Sequence, residues 1–379
     1  MTAYVRVLDM PDHPLTGLRV LELARILAGP WAGQVLADLG ATVTKVEAPA
    51  GDDTRTWGPP FVTNPDGTRD AAYFHACNRG KTSHVIDFTT PEGQAKVRAL
   101  AAESDVLIEN FKVGGLAKYG LDYNSLSTLN PTLVYCSITG FGQDGPYAPR
   151  AGYDFIVQGM SGMMDLTGEP AGAPQKIGVA MADITTGLYA VIAIQAALAM
   201  RTRTGRGQHI DMALFDTMTG VLANQAANYF AGGVSPTRVG NAHVNVCPYA
   251  VFETADGWFI LAVGNDGQFR RFCAVVGIDA ADPRYATNAL RLEHREPLFA
   301  TITDATRRFA RDDLLAALDA AGVPAGPINT VEQALTDRQI VARGMILDTG
   351  PIAGLRTPIR FSDADLATDR PAPMLGSGD

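Results

Sequence analysis

The chain has 379 residues, 46% of them hydrophobic and 19% charged, with 39 glycines; that composition excludes a disordered chain and suffices for two or three domains with true cores. Its 31 Lys and Arg against 40 Asp and Glu leave a formal charge of −9, which excludes a general nucleic-acid binder, because such a protein needs a basic face to displace counterions from phosphates. The small-residue content and low charge fit an oligomer with a large buried surface.

The N-terminal run MTAYVRVLDMPDHP has no basic-then-apolar pattern, so no secretion signal is expected. From Leu18, LRVLEL reads as a buried strand, ARILAGP turns into a helix across Trp31 to Leu39, and ATVTKVEAP reads as a second strand. HVIDF as a strand, a helix from Pro91 to about Ala102, DVLIEN and LVYCSIT continue the alternation. Strands alternating with helices imply an α/β fold with a mostly parallel sheet and ligands at the strands' carboxyl ends. The longest apolar stretch, Leu188 to Met200, contains Gln195 and is too short to span a bilayer, so a soluble cytoplasmic protein is expected.

Around Gly205 to Asp211, TRTGRGQHIDM reads as a helix stop, a basic turn and a short strand before a long helix through Asn228. Beyond Pro236, GNAHVNVCPYAVFETADGWFILAVGND reads as two strands joined at Asp256 and Gly257, with helices over 266–276 and 295–320 after it. LRTPIRFS reads as a strand returning to the first domain. The expected organisation is a large Rossmann-like domain over 1–205 with a C-terminal return over 340–379, a linker and long helix over 206–235, and a smaller α+β domain over 236–339.

Cys77, Cys136, Cys247 and Cys273 form no CxxC pair, and none of the six histidines pairs at ligand spacing, so neither a zinc site nor a disulfide framework is expected. The first βα turn, Ala28-Gly29-Pro30-Trp31-Ala32-Gly33, lacks the GxGxxG spacing of a nicotinamide site, although Glu47 stands where a ribose-binding acid would. Asp183 precedes an apolar helix, where it would serve as an N-cap and where the helix N-terminus would keep it ionised, as a nucleophile requires. Asn110 and Phe111 follow the strand DVLIE, and Lys112 and Lys118 add cations suited to a phosphate. Arg150, Tyr153 and Asp154 lie in a glycine-rich segment. His243 lies in the loop GNAHVNV, a candidate lid. No GxSxG or cysteine nucleophile signature appears.

The blocks LARILAGPWAGQVLADLGATVTKVEAP, GDDTRTWGPPF, NRGKTSHVIDF, ENFKVGGLAKYGL, SITGFGQDGPY, RAGYDFIVQGMSG, GVAMADITTGLYA and TGRGQHIDMALFD together resemble the family III CoA-transferases, over nearly the whole chain and in order. The resemblance implies an interlocked homodimer, a Rossmann-like large domain with a smaller domain, acyl-CoA and carboxylic acid substrates, and no metal, nucleoside triphosphate, membrane or nucleic-acid partner. It makes Asp183 the nucleophile and places coenzyme A against Leu27, Ala28, Ile86, Asn110, Phe111, Lys112, Lys118, Arg150, Tyr153 and Asp154. The family's flexible glycine loop falls near Gly240 to Val246, but here it is GNAHVNV rather than a run of glycines. Several blocks most resemble members that move CoA between succinyl-CoA and dicarboxylates, with Arg25, Arg55 and Arg79 as candidates to pair a distal carboxylate. Acyl-CoA racemases are the alternative within the fold; they resemble a pattern with His where Tyr153 stands, since α-proton exchange needs an acid/base pair near neutrality. A catalytically silent acyl-CoA binder is the third class. The resemblance also implies a further terminal helix in most relatives, past the point matching MLGSGD.

Overall fold

The computed structural model describes residues 13–379; the first twelve residues of the N-terminal run read above lie outside them. The described residues form two compact units, a large one of residues 13–163, 176–230 and 338–379, and a small one of 164–175 and 231–337.

In the large unit the chain forms β1 (Arg19–Glu22), α1 (Ala28–Asp38), β2 (Thr42–Glu47), the hairpin β3 (Phe61–Thr63) and β4 (Arg69–Ala71), α2 (Ala72–Cys77) and β5 (Lys81–Val85). It continues through α3 (Pro91–Ala102), β6 (Val106–Glu109), α4 (Tyr123–Leu129), β7 (Val134–Thr139) and α5 (Asp154–Met160), passes into the small unit with α6 (Met163–Leu166), and returns as α7 (Met181–Thr204), β8 (His209–Ala213), α8 (Leu214–Gly220) and α9 (Ala223–Gly232), which ends at the next crossing. Six strands pair in parallel in the order β5-β2-β1-β6-β7-β8. Strand order therefore reverses between β1 and β6, the place where an open α/β sheet leaves its ligand crevice.

Near-continuous apolar strands are what a sheet covered on both faces needs. Val20, Val43, Val106, Ile108, Cys136 and Ile138 bury against α1, α7 and α8, whereas Leu21, Leu23, Val46, Leu107 and Tyr135 bury on the opposite face with Val97 of α3 and Leu126 of α4. Thr90 caps α3 by accepting from Gly93 N–H, with Pro91 in the first turn, the arrangement its sequence favours.

Several expectations need correction. The strand expected at HVIDF is displaced to Lys81–Val85, because it is the Lys81 to Val85 run that registers against Val43 to Glu47. Residues 206–235 are not a linker: His209–Ala213 pairs with Tyr135–Thr139 as the sixth strand, and the helix after it breaks into α8 and α9 at Ala223, whose φ is +47°. α7 is longer than its purely apolar stretch and, by length and composition, is apolar enough to cross a membrane; here it packs on α1, α8 and β7. LRTPIRFS contributes only Leu355 to a strand, in the short pair Ile346–Leu347 with Gly354–Leu355, because the Arg356 guanidinium draws the backbone carbonyls of Arg343, Gly344, Thr357 and Ile359 around itself.

The small unit is built on β9 (Tyr249–Glu253), β10 (Trp258–Ala262) and β11 (Ala325–Pro327), an antiparallel sheet in the order β11-β10-β9. Helices α10 (Asp266–Val276), α11 (Asn288–Glu293), α12 (Arg295–Thr306) and α13 (Arg311–Ala320) cover it, around Phe252, Phe259, Phe269, Phe272, Leu298, Ile302 and Leu314. The single helix expected over 295–320 is two, since Phe309 O in the break accepts from Ala255 N–H beside the β9–β10 turn.

Candidate active site

The carboxyl ends of β1 and β6 meet at the order reversal, and there the first βα turn is held from several sides. Asn110 accepts from Arg25 N–H at 2.9 Å and donates through Nδ2 to Arg25 O at 2.6 Å. Beneath the turn lies a fully buried cluster in which Lys45 pairs with Glu22 and Asp52, and Lys81 pairs with Glu22. Lys45 Nζ also donates to Ala24 O and Lys81 Nζ to Pro30 O, each at 2.8 Å. Buried ammonium groups are tolerated only when their donors are met, and here backbone carbonyls meet part of that demand. Ile26, between these anchors, has φ of +70°, a left-handed conformation that costs a β-branched residue about 1–3 kcal/mol and persists only where the surroundings over-determine it.

Leu27 and Ala28, both buried, open α1 from this turn. Gly187 of α7 faces them: a Cβ there would come to 2.6 Å from Ala28 O and 3.2 Å from Trp31 Cδ1. One turn earlier on α7 stands Asp183. It is the third residue of the helix rather than its N-cap, which is Ala180, and among the described residues no hydrogen bond to its carboxylate is found. Burial first, and the nearby Asp154 charge second, push its pKa from the ordinary 3.8 up to about 7. The helix terminus therefore does not keep it as firmly ionised as expected; desolvation and a like charge outweigh ~0.3 to 1 kcal/mol of dipole stabilisation.

Asp154, at the start of α5, spends both oxygens on structure: Oδ1 accepts from Ala182 N–H at 2.7 Å and Oδ2 from Gln158 Nε2 at 2.8 Å. Gln158 Oε1 in turn accepts from Ile177 N–H, so α5 and the segment entering α7 are tied together. Ala182 N–H is thus spent, and Ile184 N–H donates to Ala180 O, so neither amide is free for an oxyanion. Tyr73 of α2 was not singled out from sequence. Burial, then the charges of Asp183, Cys77, Asp154 and Asp52, raise its phenol to about 12, which keeps a neutral O–H donor in the neighbourhood of Asp183. An isolated Tyr in AAYFHAC carries no sequence signal for that.

The remaining expected residues divide by exposure. Ile86 is buried just past β5, its N–H donating to Glu47 O. Phe111 packs edge-on against Phe88 and lies under the Arg25 guanidinium at 5.6 Å. Lys112 and Lys118 are exposed and, among the described residues, make no ion pair; Lys118 Nζ sits 4.7 Å from the Tyr119 ring. Arg150 is exposed over the rings of Tyr147 and Phe141, and Tyr153, 65% exposed, stands at the N-cap position of α5 without a side-chain capping bond. Close approach of Gly140 and Gly152, where a Cβ on either would fall 2.4 to 2.5 Å from the other's Cα, brings that segment against the end of β7.

Two arginines are corrected. Arg55 is buried, forks onto Glu47 with two bonds of 2.8 Å, pairs with Asp70 at 2.9 Å and lies 3.6 Å over the Phe74 ring. Arg79 is buried and forks onto Asp38 with two bonds of 2.9 Å. Neither has a fork left for a substrate. Glu47, spent on Arg55, Ser83 and Asp52 N–H, is a packing acid and no ribose ligand. Arg25 pairs with Asp53 at 2.9 Å but stays about half exposed. In the small unit, Gly240 has φ of +61° and donates to Gly168 O. His243 is tied down: its N–H donates to Tyr249 O, its Nδ1 accepts from Asn245 N–H, and Arg295 donates to its carbonyl.

The large unit thus offers a partly buried carboxylate of near-neutral pKa, a neutral phenol, a turn at the strand-order reversal and exposed cations past β6 and β7. That set suits nucleophilic attack on an acyl compound with a phosphate-bearing carrier. Among the described residues no group of three His, Cys, Asp or Glu side chains is placed to hold a metal ion. Residues 15–378 match the family model described as CoA-transferase family III. A succinate–glutarate CoA-transferase of Agrobacterium fabrum is 59% identical over 97% of this chain and 95% of its own length. Human succinyl-CoA:glutarate CoA-transferase is 39% identical over 96% of this chain and 84% of its own length. The crystal structure of a CaiB/BaiF family protein from Brucella suis superposes with a TM-score of 0.89 at 64% identity, covering 97% of each chain.

Proposed function

The chain belongs to CoA-transferase family III and is an enzyme of that class, and from that premise we propose that it moves CoA between succinyl-CoA and a dicarboxylate such as glutarate, with Asp183 as the covalent carrier. The Asp183 carboxylate attacks the thioester carbonyl of succinyl-CoA; the C–S bond breaks, giving an aspartyl-succinyl anhydride and CoA thiolate. Thiolate attacks the Asp183 carbonyl, expelling succinate and leaving an aspartyl-CoA thioester. The incoming carboxylate then attacks that thioester, and the thiolate released finally attacks the new acyl carbonyl, freeing Asp183. One thioester replaces another, so no energy source is consumed.

The observation that carries this reading is Asp183 itself: desolvated, without a hydrogen bond from any of the described residues that would blunt it, and near-neutral in pKa. Lowered solvation strengthens a carboxylate as a nucleophile once it is ionised. Tyr73, held neutral, is our candidate donor to the developing oxyanion, and Lys112, Lys118 and Arg150 are our candidates for the CoA phosphates. We further propose an interlocked homodimer, supported by the unpartnered apolar face of α7, where Leu188, Tyr189, Ile192 and Met200 are all exposed. Hydroxylamine added during turnover with succinyl-CoA should modify the peptide containing Asp183, and Asp183→Ala should bind CoA without moving it to labelled glutarate. Substantial transfer by that variant refutes the covalent assignment.

A further inference from the structure

Resting on the proposed reading of this crevice as the acyl-CoA site, we propose that Asn110 is a positioning residue whose amide staples β1 to β6 and so holds Ile26 in the left-handed turn from which Leu27 and Ala28 open α1. A strand-end Asn with two lysines nearby suggests a side chain facing a phosphate, but the amide is engaged elsewhere. Its oxygen accepts from Arg25 N–H and its nitrogen donates to Arg25 O, so it grips both polar groups of one residue across the strand-order reversal.

The grip is part of a larger constraint. Between Ala24 and Pro30, side chains from four other segments also hold Ala24 O, Ile26 N–H, Ile26 O and Pro30 O, through Lys45, Asp52, Cys77 and Lys81. Most of these groups are deeply buried, and their loss would unsettle the core. Asn110 is only partly buried, and its bonds fall on the residue immediately before the strained one. Releasing Arg25 therefore lets Ile26 relax toward negative φ and moves the start of α1, without opening the sheet.

A turn populated only part of the time in its competent form weakens apparent affinity by that fraction, while the bound complex remains competent. Asn110→Ala should raise KM for succinyl-CoA and Kd for CoA by about tenfold with kcat within about threefold. Glycine adopts the left-handed region freely, so adding Ile26→Gly to Asn110→Ala should restore most of the lost affinity. A direct contact between Asn110 and the ligand would be lost irrespective of residue 26. Steady-state kinetics and calorimetric titration with CoA on wild type, both single variants and the double variant decide the matter. Should Asn110→Ala fail to fold, the isosteric Asn110→Asp keeps the acceptor for Arg25 N–H, sets a carboxylate oxygen against Arg25 O, and should show the same rise relieved by Ile26→Gly. Wild type that neither binds CoA nor transfers it overturns the functional reading and this inference with it. Active wild type whose Asn110 variants are not rescued, or show no rise at all, overturns this inference alone.

Discussion

Replacing Asp183 by Asn removes a charge while keeping the size of the side chain, and the two consequences run in opposite directions. Burial and then the Asp154 charge lift this carboxyl from 3.8 to about 7 in the folded protein, whereas in the unfolded chain it titrates near ~3.9. Between those values the folded protein retains a proton that the unfolded chain has released, so stability falls as pH rises from about 4 to about 7 and stays low above that. At pH 5 the folded wild type is relieved of roughly 3 kcal/mol that it carries at pH 8 through this one group. Asn carries no such dependence. The stability advantage of Asp183→Asn over wild type should therefore be larger at pH 8 than at pH 5 by roughly 3 kcal/mol, a difference in which the titration of every other carboxyl cancels. Melting both proteins at both pH values, at one ionic strength, should show the gap in Tm widening by about 3–6 °C, while CoA transfer by the variant falls about a thousandfold or more. An advantage equal at the two pH values, or a variant less stable than wild type at pH 8, would refute the desolvated-nucleophile account.

Two more outcomes follow from the same structure. Because Asp183 must be ionised to attack, kcat/KM for succinyl-CoA should fall about tenfold for each pH unit below about 7 and level off above it; a profile flat down to pH 5 contradicts the raised pKa of Asp183. Arg55→Leu leaves Glu47 and Asp70 buried without their partner, so it should lower stability by about 3–5 kcal/mol in urea melts. If it instead raised KM for glutarate with stability unchanged, Arg55 would be a substrate residue after all.

The open sheet was legible because both its faces are covered, which leaves apolar strands bounded by turn residues, and because α3 carries its cap and proline in sequence. Asp183 was legible as a carboxylate before an apolar helix, but its pKa was not. That depends on Asp154, 29 residues earlier in the chain, and on packing that no local pattern encodes. The roles of Arg55 and Arg79 failed for a similar reason: an arginine's surplus of donors looks like ligand capacity until partners distant in sequence, here Asp70, Asp38 and the carbonyls of Pro373 and Leu355, consume them. The short strand read in QHIDM is real, but its place in the large sheet was not legible, because His209–Ala213 joins at the edge beyond β7 and a basic turn before it resembles a connector.

The segment that follows the small unit has a bearing on how the protein is made. Pro371 O accepts from Gly80 N–H, Gly376 N–H donates to the Ser83 hydroxyl and Gly378 N–H to Ser83 O, so late residues cover the outer rim of β5, the first of the six strands in spatial order. Gly376 and Ser83 are 293 positions apart. A nascent chain emerging from the ribosome must therefore carry that rim bare while the whole small unit is synthesised, and unprotected strand rims recruit strands from other chains. Chaperone dependence in the cell should concentrate in that interval, and fragments ending after the small unit should aggregate even though every strand of the six is present.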